Sequence, residues 1–305
     1  MENQLRLFQR DFLSYLEAQN YSLESVKNNG SIIGQFLDFV SPLGVSHPRE
    51  INVKMVRSYF KELKTRSNRV RGGALSAGTI NRHISAVKLF QRFLHLKYQV
   101  YLPVSQRKMR NDFTPPDVLT KEEIRSLYSQ CEGTEPSDAL NRAMLSLYYG
   151  CGLRKVEGIN LLYSDVDLDN RVIHIRNTKN KKDRLVPMPV WVMHHLKDYV
   201  IKYRPKLNKF HRKEFLVNTR GNSFSKDRVY DRFKILLSQS TLDSIRQKDV
   251  GLHTLRRSYA THLLEAGIAI ESISKLLGHT TIETTKIYLI INDYEPEKQN
   301  SYEYQ

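Results

Sequence analysis

The sequence feature that most constrains the fold is the stretch HTLRRSYATHLLEAGIAIESISKLLGHTTIETTKIY, residues 253–288. Apolar side chains recur at helical spacing through residues 254–266, which predicts a helix with His253 and Arg256 in its first turn. A helix N-terminus carries partial positive charge and N–H groups without intrahelical partners. An imidazole and a guanidinium at that position predict a pocket for an anion, and phosphate is the natural candidate.

The same stretch can fold back on itself. A second apolar-periodic run, Ile270–Leu277, ends at Gly278, where a left-handed residue commonly terminates a helix. A third helix starting just afterwards would carry Tyr288 about two turns along. Because the turns between these helices are short, His279 and Tyr288 can return towards the first histidine and arginine.

Each of these residues also has a structural interpretation when it is taken singly. A histidine and an arginine one turn apart often form a surface pair, a Gly-His commonly ends a helix, and a tyrosine is often a half-buried core residue. The ordered set indicates a shared site: HxLRRSxATHLL, then LLGH, then a tyrosine nine residues after that histidine.

This ordered set resembles the C-terminal signature of the tyrosine recombinase family (phage integrases and Xer-type enzymes), which breaks and rejoins DNA through a phosphotyrosine. The matching positions are His253, Arg256, His279 and Tyr288. Arg154 leads the motif LRKVE and resembles the family's first catalytic arginine. The resemblance also implies that Glu157 orients the neighbouring basic groups, although a plain surface ion pair has the same spacing.

A predicted β-hairpin contributes one further candidate residue. Residues 172–175 and 184–186 are rich in β-branched side chains and flank a polar turn. In the resembled family a lysine on this turn protonates the leaving oxygen, and alignment on RLVP puts Lys179 in that position. The family commonly has glycines beside this lysine and this chain does not, so Lys181 and Lys182 remain alternatives.

The resemblance implies a role for each matched residue. Arg154 and Arg256 would clamp the phosphate, since the planar fork of arginine suits two phosphate oxygens at once. Tyr288 would attack phosphorus while His253 accepts its proton, and His279 would hydrogen-bond the phosphate or support the tyrosine. The resulting 3′-phosphotyrosyl linkage keeps the energy of the broken bond, so strand exchange through a Holliday junction needs no ATP.

Composition indicates a polyanionic partner. The formal net charge is +16 over 305 residues. Nucleic acid is favoured over a membrane surface because no stretch approaches the roughly 20 apolar residues of a membrane-spanning helix. No basic-then-apolar leader opens the chain, which predicts a cytoplasmic, nucleoid-associated protein. Two cysteines are too few for a disulfide framework, carboxylate clusters typical of two-metal nucleases are absent, and no metal or other cofactor is expected.

The apolar periodicity of residues 1–102 predicts a basic domain of four amphipathic helices. Between Lys54 and Arg71 there are seven positive charges and one negative charge, which favours a surface that follows DNA phosphates over a merely solubilising face. The DNA contacts predicted from this domain are Arg57, Lys61, Lys64, Arg66, Arg69, Arg71, Arg82 and Lys88.

Residues 103–118 contain three prolines and no periodicity, as expected of a linker, and residues 119–305 form the predicted catalytic domain with its C-terminal tail. Thr120 and Glu123 predict a capping box at the start of that domain. The segment FHRKEFLVNTRG predicts a short strand and turn. A helix capped by Ser225 carries the remaining predicted DNA contacts, Lys226, Arg228 and Arg232.

The predicted fold is mainly α with a small β-hairpin or sheet: an N-terminal four-helix core-binding domain and a mixed α+β catalytic domain of the tyrosine recombinase type. The resemblance implies a site-specific recombinase on double-stranded DNA, working as a homotetramer on two sites, with its tail docked on a neighbouring subunit. A supercoil-relaxing enzyme of the type IB topoisomerase kind and a catalytically silent DNA-binding regulator remain alternatives. The target sequence and the outcome (integration and excision of a mobile element, inversion, or chromosome dimer resolution) stay open.

Overall fold

The computed structural model describes residues 4–68, 72–110, 116–176 and 183–278. The chain divides into two compact units, Met1–Phe113 and Thr114–Gln305. The division falls within the segment that the sequence predicts as a linker. Several predicted functional residues lie outside the described residues: Arg69, Arg71, Lys179, Lys181, Lys182, His279 and Tyr288.

The described part of the first unit is built from four α-helices. They are α1 (Gln4–Ala18), α2 (Leu23–Val40), α3 (Val53–Thr65) and α4 (Ala77–Tyr98). Ser22, Asn52 and Ser76 cap α2, α3 and α4, each accepting a backbone N–H bond on its side-chain oxygen. The apolar stripes of the helices meet in one core, in which Phe12 contacts Phe90 at a ring-centroid distance of 5.2 Å.

The segment after α4 remains attached to this unit. Leu102 is fully buried in the core of the first unit. Asn81 donates to the carbonyl of Met109 at 2.9 Å and accepts from its N–H at 2.7 Å. The first residues of the predicted linker therefore pack on the helical unit, without forming a helix or strand of their own.

The second unit combines helices with a small sheet. Its helices are α5 (Lys121–Ser129), α6 (Pro136–Leu145), α7 (Lys155–Asn160), α8 (Val190–Asp198), α9 (Arg204–Leu207), α10 (Lys226–Ser238), α11 (Asp243–Gln247), α12 (Leu252–Glu265) and α13 (Ile270–Leu277). The strands β1 (Val166–Asp167), β2 (Val172–Ile175) and β3 (Arg184–Pro187) form an antiparallel sheet in that order. The mainly helical fold with a small sheet is thus confirmed.

One detail of the second unit differs from the sequence-based expectation. The segment around Phe215 forms isolated β-bridges, Leu162 with Glu214 and Val217 with Ser223, where a strand was predicted. The helix α6 continues into a π-turn, Ser146–Gly150, and Gly150 passes close to α8, where a Cβ would lie 2.4 Å from Val192. No helix in the described part of the chain combines the length and apolarity needed to cross a membrane.

The packing of the second unit brings α7, α12 and α13 together. The π-turn contacts α12 and α7, and α12 in turn contacts α13. A Cβ on Gly158 would lie 2.7 Å from the ring of Tyr148, so a glycine is needed where α7 crosses the π-turn. Gly152, at φ +60, fits between α12 and α13, where a Cβ would lie 2.8 Å from Leu277 and from Tyr259.

Candidate active site

Arg154 and Glu157 form the start of α7. Arg154 is the N-cap residue, and the Glu157 carboxylate accepts its backbone N–H at 2.8 Å. The same carboxylate accepts a bond from Arg154 Nη1 at 2.7 Å. Glu157 therefore caps the helix and holds the arginine side chain at the same time. The i,i+3 ion pair expected from the sequence is present, and it is only partly exposed.

Arg256 projects from the first turns of α12 into the protein interior and is 4% exposed. Its Nη1 donates to the carbonyl of Gly152 at 2.6 Å, and its Nη2 donates to the carbonyl of Leu277 at 2.5 Å. Its Nη1 lies 3.9 Å from Glu157 Oε2. The second predicted arginine thus reaches the same carboxylate as Arg154, but without a hydrogen bond to it.

The C-terminal end of α13 is where the two arginines converge. Gly278 ends this helix at φ 64, the left-handed conformation that the sequence predicted. Arg154 Nη2 donates to the Gly278 carbonyl at 2.5 Å, beside the Leu277 carbonyl that Arg256 contacts. Both guanidiniums therefore lie next to the point where the chain continues to His279.

Arg184 in β3 is a member of this cluster that the sequence reasoning missed. Its Nη1 and Nη2 donate to Glu157 Oε1 and Oε2 at 2.8 and 2.9 Å. Burial by itself would raise the pKa of Glu157, but the hydrogen bonds and charge of Arg184 and the bonds from Arg154 lower it to about 2. The only sequence signal was the RLVP motif, which had served to place Lys179.

His253 lies at the start of α12 with an exposed side chain, one turn before Arg256. Partial loss of hydration lowers its pKa, and the positive charges of Arg256 and Lys155 lower it further. The imidazole is therefore neutral near pH 7 and able to accept a proton. Lys179, His279 and Tyr288 lie outside the described residues, and their roles stay predictions.

The predicted DNA contacts that the structure describes fall into two groups. Seven have exposed side chains: Arg57, Lys61 and Lys64 on α3, Arg82 and Lys88 on α4, and Lys226 and Arg228 on α10. Arg66 forms a forked bond to Glu62 and donates to Gln35. Arg232 donates to Asn141 Oδ1 at 2.7 Å and to the Ser137 carbonyl at 2.8 Å. Arg66 and Arg232 thus make hydrogen bonds within their own units.

Among the described residues, no three His, Cys, Asp or Glu side chains are grouped so that they could hold a metal ion. The groups that the structure brings together at the candidate site are instead three guanidiniums around one carboxylate, at the negative end of a helix dipole. Such a site can bind an anion through charge-assisted hydrogen bonds.

Comparisons with known proteins show the family to which this chain belongs. The profile of the Phage integrase family matches residues 117–295, and that of the phage integrase N-terminal SAM-like domain matches residues 10–98. The tyrosine recombinase XerD of Corynebacterium glutamicum is 29% identical over 93% of both chains. A tyrosine recombinase of Thermosipho africanus is 30% identical over 97% of both chains.

Two solved structures share the fold. The XerH recombinase bound to palindromic difH substrate is similar with a TM-score of 0.71 and 20% identity, covering 90% of this chain and 80% of that one. A lambda integrase dimer bound to a COC′ core site is similar with a TM-score of 0.69 and 15% identity, covering 98% and 99%. Together with the relatives and the family profiles, these similarities show that the chain belongs to the phage integrase family and is a tyrosine recombinase.

Proposed function

We propose that this tyrosine recombinase cleaves double-stranded DNA by attack of Tyr288 on a phosphodiester, forming a 3′-phosphotyrosyl linkage that a second strand resolves. Strand exchange passes through a Holliday junction and requires neither a metal ion nor ATP. The observation that supports this proposal most directly is the convergence of Arg154 and Arg256 on the end of α13, next to His279.

The two arginines supply what cleavage of a phosphodiester needs. The pentacoordinate transition state carries more charge on its non-bridging oxygens than the ground state, and preorganised cations in a water-poor site stabilise that charge. Arg256 is almost fully buried and Arg154 has a side chain that is 32% exposed, so a strand can reach the second from solvent. The cations come from the protein, so the proposed mechanism needs no metal ion.

Three further side chains would move protons. Tyr288, with an ordinary pKa of about 10, must lose its proton as it attacks, and the neutral imidazole of His253 accepts it. Lys179 donates a proton to the departing 5′-oxygen, and His279 supports the phosphate or the tyrosine. The linkage retains the energy of the broken bond, so a 5′-hydroxyl from another duplex reverses the step.

The organisation of the chain is proposed as follows. Residues 1–102 form a core-binding domain, 103–118 a linker, and 119–305 the catalytic domain with its tail; the division into two compact units supports this. The exposed cations of α3, α4 and the start of α10 contact the DNA backbone. Four copies act on two DNA sites in the nucleoid, each tail docking on a neighbour. The solved structures of XerH bound to palindromic difH substrate and of a lambda integrase dimer bound to a COC′ core site support the choice of partner.

Covalent trapping tests the proposal. The purified chain is incubated with sheared genomic DNA of its source organism and denatured, and DNA that stays attached to protein is sequenced. Tyr288→Phe should lose all adducts while retaining DNA binding, whereas Tyr163→Phe, at a tyrosine that is 50% exposed, should keep them. Adducts formed by Tyr288→Phe would refute the nucleophile.

The two alternatives give different results in the same assays. A supercoil-relaxing enzyme would form adducts on a plasmid carrying two copies of the trapped sequence, but it would yield relaxed circles and no recombinant product. A silent regulator would bind DNA and form no adduct with the unaltered chain.

A further inference from the structure

We propose that Arg184 is a positioning residue of the DNA cleavage reaction: it holds Glu157 and the end of α13 so that Arg154 and Arg256 keep their places for the phosphate. This inference rests on the proposed function, which assigns no role to Arg184. It is carried by two contacts of Arg184 within the second unit, one with a carboxylate and one with a glycine backbone.

The first contact is the forked pair with Glu157. Both terminal nitrogens of Arg184 bind the two carboxylate oxygens, at 2.8 and 2.9 Å. The side chains of Arg184 and Glu157 are only 12% and 10% exposed, so water screens the pair weakly. A forked pair fixes the plane of the carboxylate, which a single bond does not. Arg184 therefore sets the orientation in which Glu157 meets Arg154.

This contact also controls what Arg256 does. An ionised carboxylate has about four lone-pair directions. Two take the nitrogens of Arg184, and two take the backbone N–H and Nη1 of Arg154. Arg256 Nη1 stays 3.9 Å from the carboxylate and donates to the Gly152 carbonyl instead. Without Arg184, two lone pairs would open beside Arg256, and the stronger charged bond would draw it away from the phosphate.

The second contact is with the backbone at the end of α13. A Cβ built on Gly278 would lie 2.9 Å from Cδ and 3.0 Å from Nε of Arg184. The arginine side chain therefore lies directly against the glycine, whose carbonyl is bound by Arg154. Arg184 thus supports the chain at the residue before His279, as well as the carboxylate that orients the clamp.

The central experiment measures the single-turnover rate of adduct formation on DNA recovered by covalent trapping. We expect Arg184→Met to lower this rate by about 10²-fold, a loss that a misplacement of about 1 Å can cause, with DNA affinity unchanged. The matched control is Arg142→Met. Arg142 is similarly buried, at 13% exposed, and forms a comparable ion pair with Asp198 at 3.0 Å in the same unit. The control should lose stability and keep its rate; equal rates in the two variants would overturn the inference.

A double-mutant cycle separates positioning from a general loss of stability. If Arg184 acts through Glu157, adding Arg184→Met to Glu157→Gln should slow the reaction by less than about threefold beyond Glu157→Gln alone. Fully multiplicative losses would overturn the inference. Arg184→Lys keeps the charge and loses the fork, so we expect it to remain at least about tenfold slow. If Arg184→Lys reacted at the wild-type rate, the charge alone would suffice and the inference would be overturned.

A structural readout keeps this test separate from that of the proposed function. If the unaltered chain forms no adducts, the proposed function has failed, and the position of Arg256 is then read from crystal structures. Movement of Arg256 Nη1 to within hydrogen-bond distance of the carboxylate in Arg184→Lys would support the inference. An unchanged position there, or in Arg184→Met where that variant folds, would overturn it.

Discussion

Replacing Glu157 with glutamine should make the stability of the second unit less dependent on pH. Glutamine has nearly the same size but carries no charge towards the guanidiniums of Arg184, Arg154 and Arg256. Although burial favours the neutral acid, the hydrogen bonds and charge of Arg184 and the bonds from Arg154 lower the pKa of Glu157 from 4.5 to about 2 in the folded protein. Folding therefore stabilises the ionised form of Glu157 relative to the neutral acid.

The magnitude follows from this pKa. Each tenfold change in proton affinity corresponds to about 1.4 kcal/mol, so the ionised carboxylate contributes about 3 kcal/mol to the free energy of unfolding at pH 7. Because the folded pKa is depressed, the contribution is fully present above a pH of about 4.5 and is lost as the pH falls towards about 2. At a pH of about 3.5 the same relation leaves about 2 kcal/mol. The difference in free energy of unfolding between the wild type and Glu157→Gln should therefore be smaller at a pH of about 3.5 than at pH 7.

Urea unfolding at the two pH values measures this gap. Trp191 is the only tryptophan of the chain and packs edge-on against Tyr128, so its fluorescence reports on the second unit. Glu132→Gln, at an exposed carboxylate, serves as the control and should stay within about 0.5 kcal/mol of the wild type. A gap that is equal at both pH values, or wider at the lower one, would contradict the proposed role of the arginines.

Four other outcomes are expected. The rate of adduct formation should fall in acid with a midpoint below 6.5, because the pKa of His253 is lowered; a midpoint at or above that value would contradict its role as base. Lys248→Met removes the ammonium that binds both oxygens of the buried Glu123 carboxylate, and it should lower the free energy of unfolding in urea by about 3 kcal/mol. Gly152→Ala should cost about 2 kcal/mol or more, through its positive φ and the clash at 2.8 Å. Ser76→Ala removes the cap of α4 and should cost about 1 kcal/mol, visible as a lower Tm of the first unit by circular dichroism.

The features that the sequence predicted well depend on near neighbours in the chain. Thr120 and Ser225 were predicted as helix caps, and each accepts the backbone N–H three residues on. Gly278 was predicted to end α13 in a left-handed conformation, and it does. Capping requires only a short side chain and the next turn of backbone, so a local pattern is sufficient to find it.

The features that sequence reasoning missed depend on residues that are distant in the chain. Arg184 and Glu157 become partners only when β3 packs beside α7, and no spacing rule joins them. Counting charges also could not show that Arg66 and Arg232 bind within their own units. An exposed cation and an internally bonded one look the same in a sequence, because the difference is the position of the acceptor.

The cluster of Arg154, Arg184, Arg256 and Glu157 balances two opposing requirements of a site that holds several cations before it binds an anion. Three guanidiniums without partners would repel one another, whereas several carboxylates would compete with the phosphate. Here the guanidiniums donate to one ionised carboxylate and to the neutral carbonyls of Leu277 and Gly278. A guanidinium binds an anion more strongly than a neutral carbonyl, because both partners then carry charge. We therefore expect a phosphate to replace the carbonyl contacts and leave the Glu157 contacts intact, which would couple DNA binding to the position of the chain that enters His279.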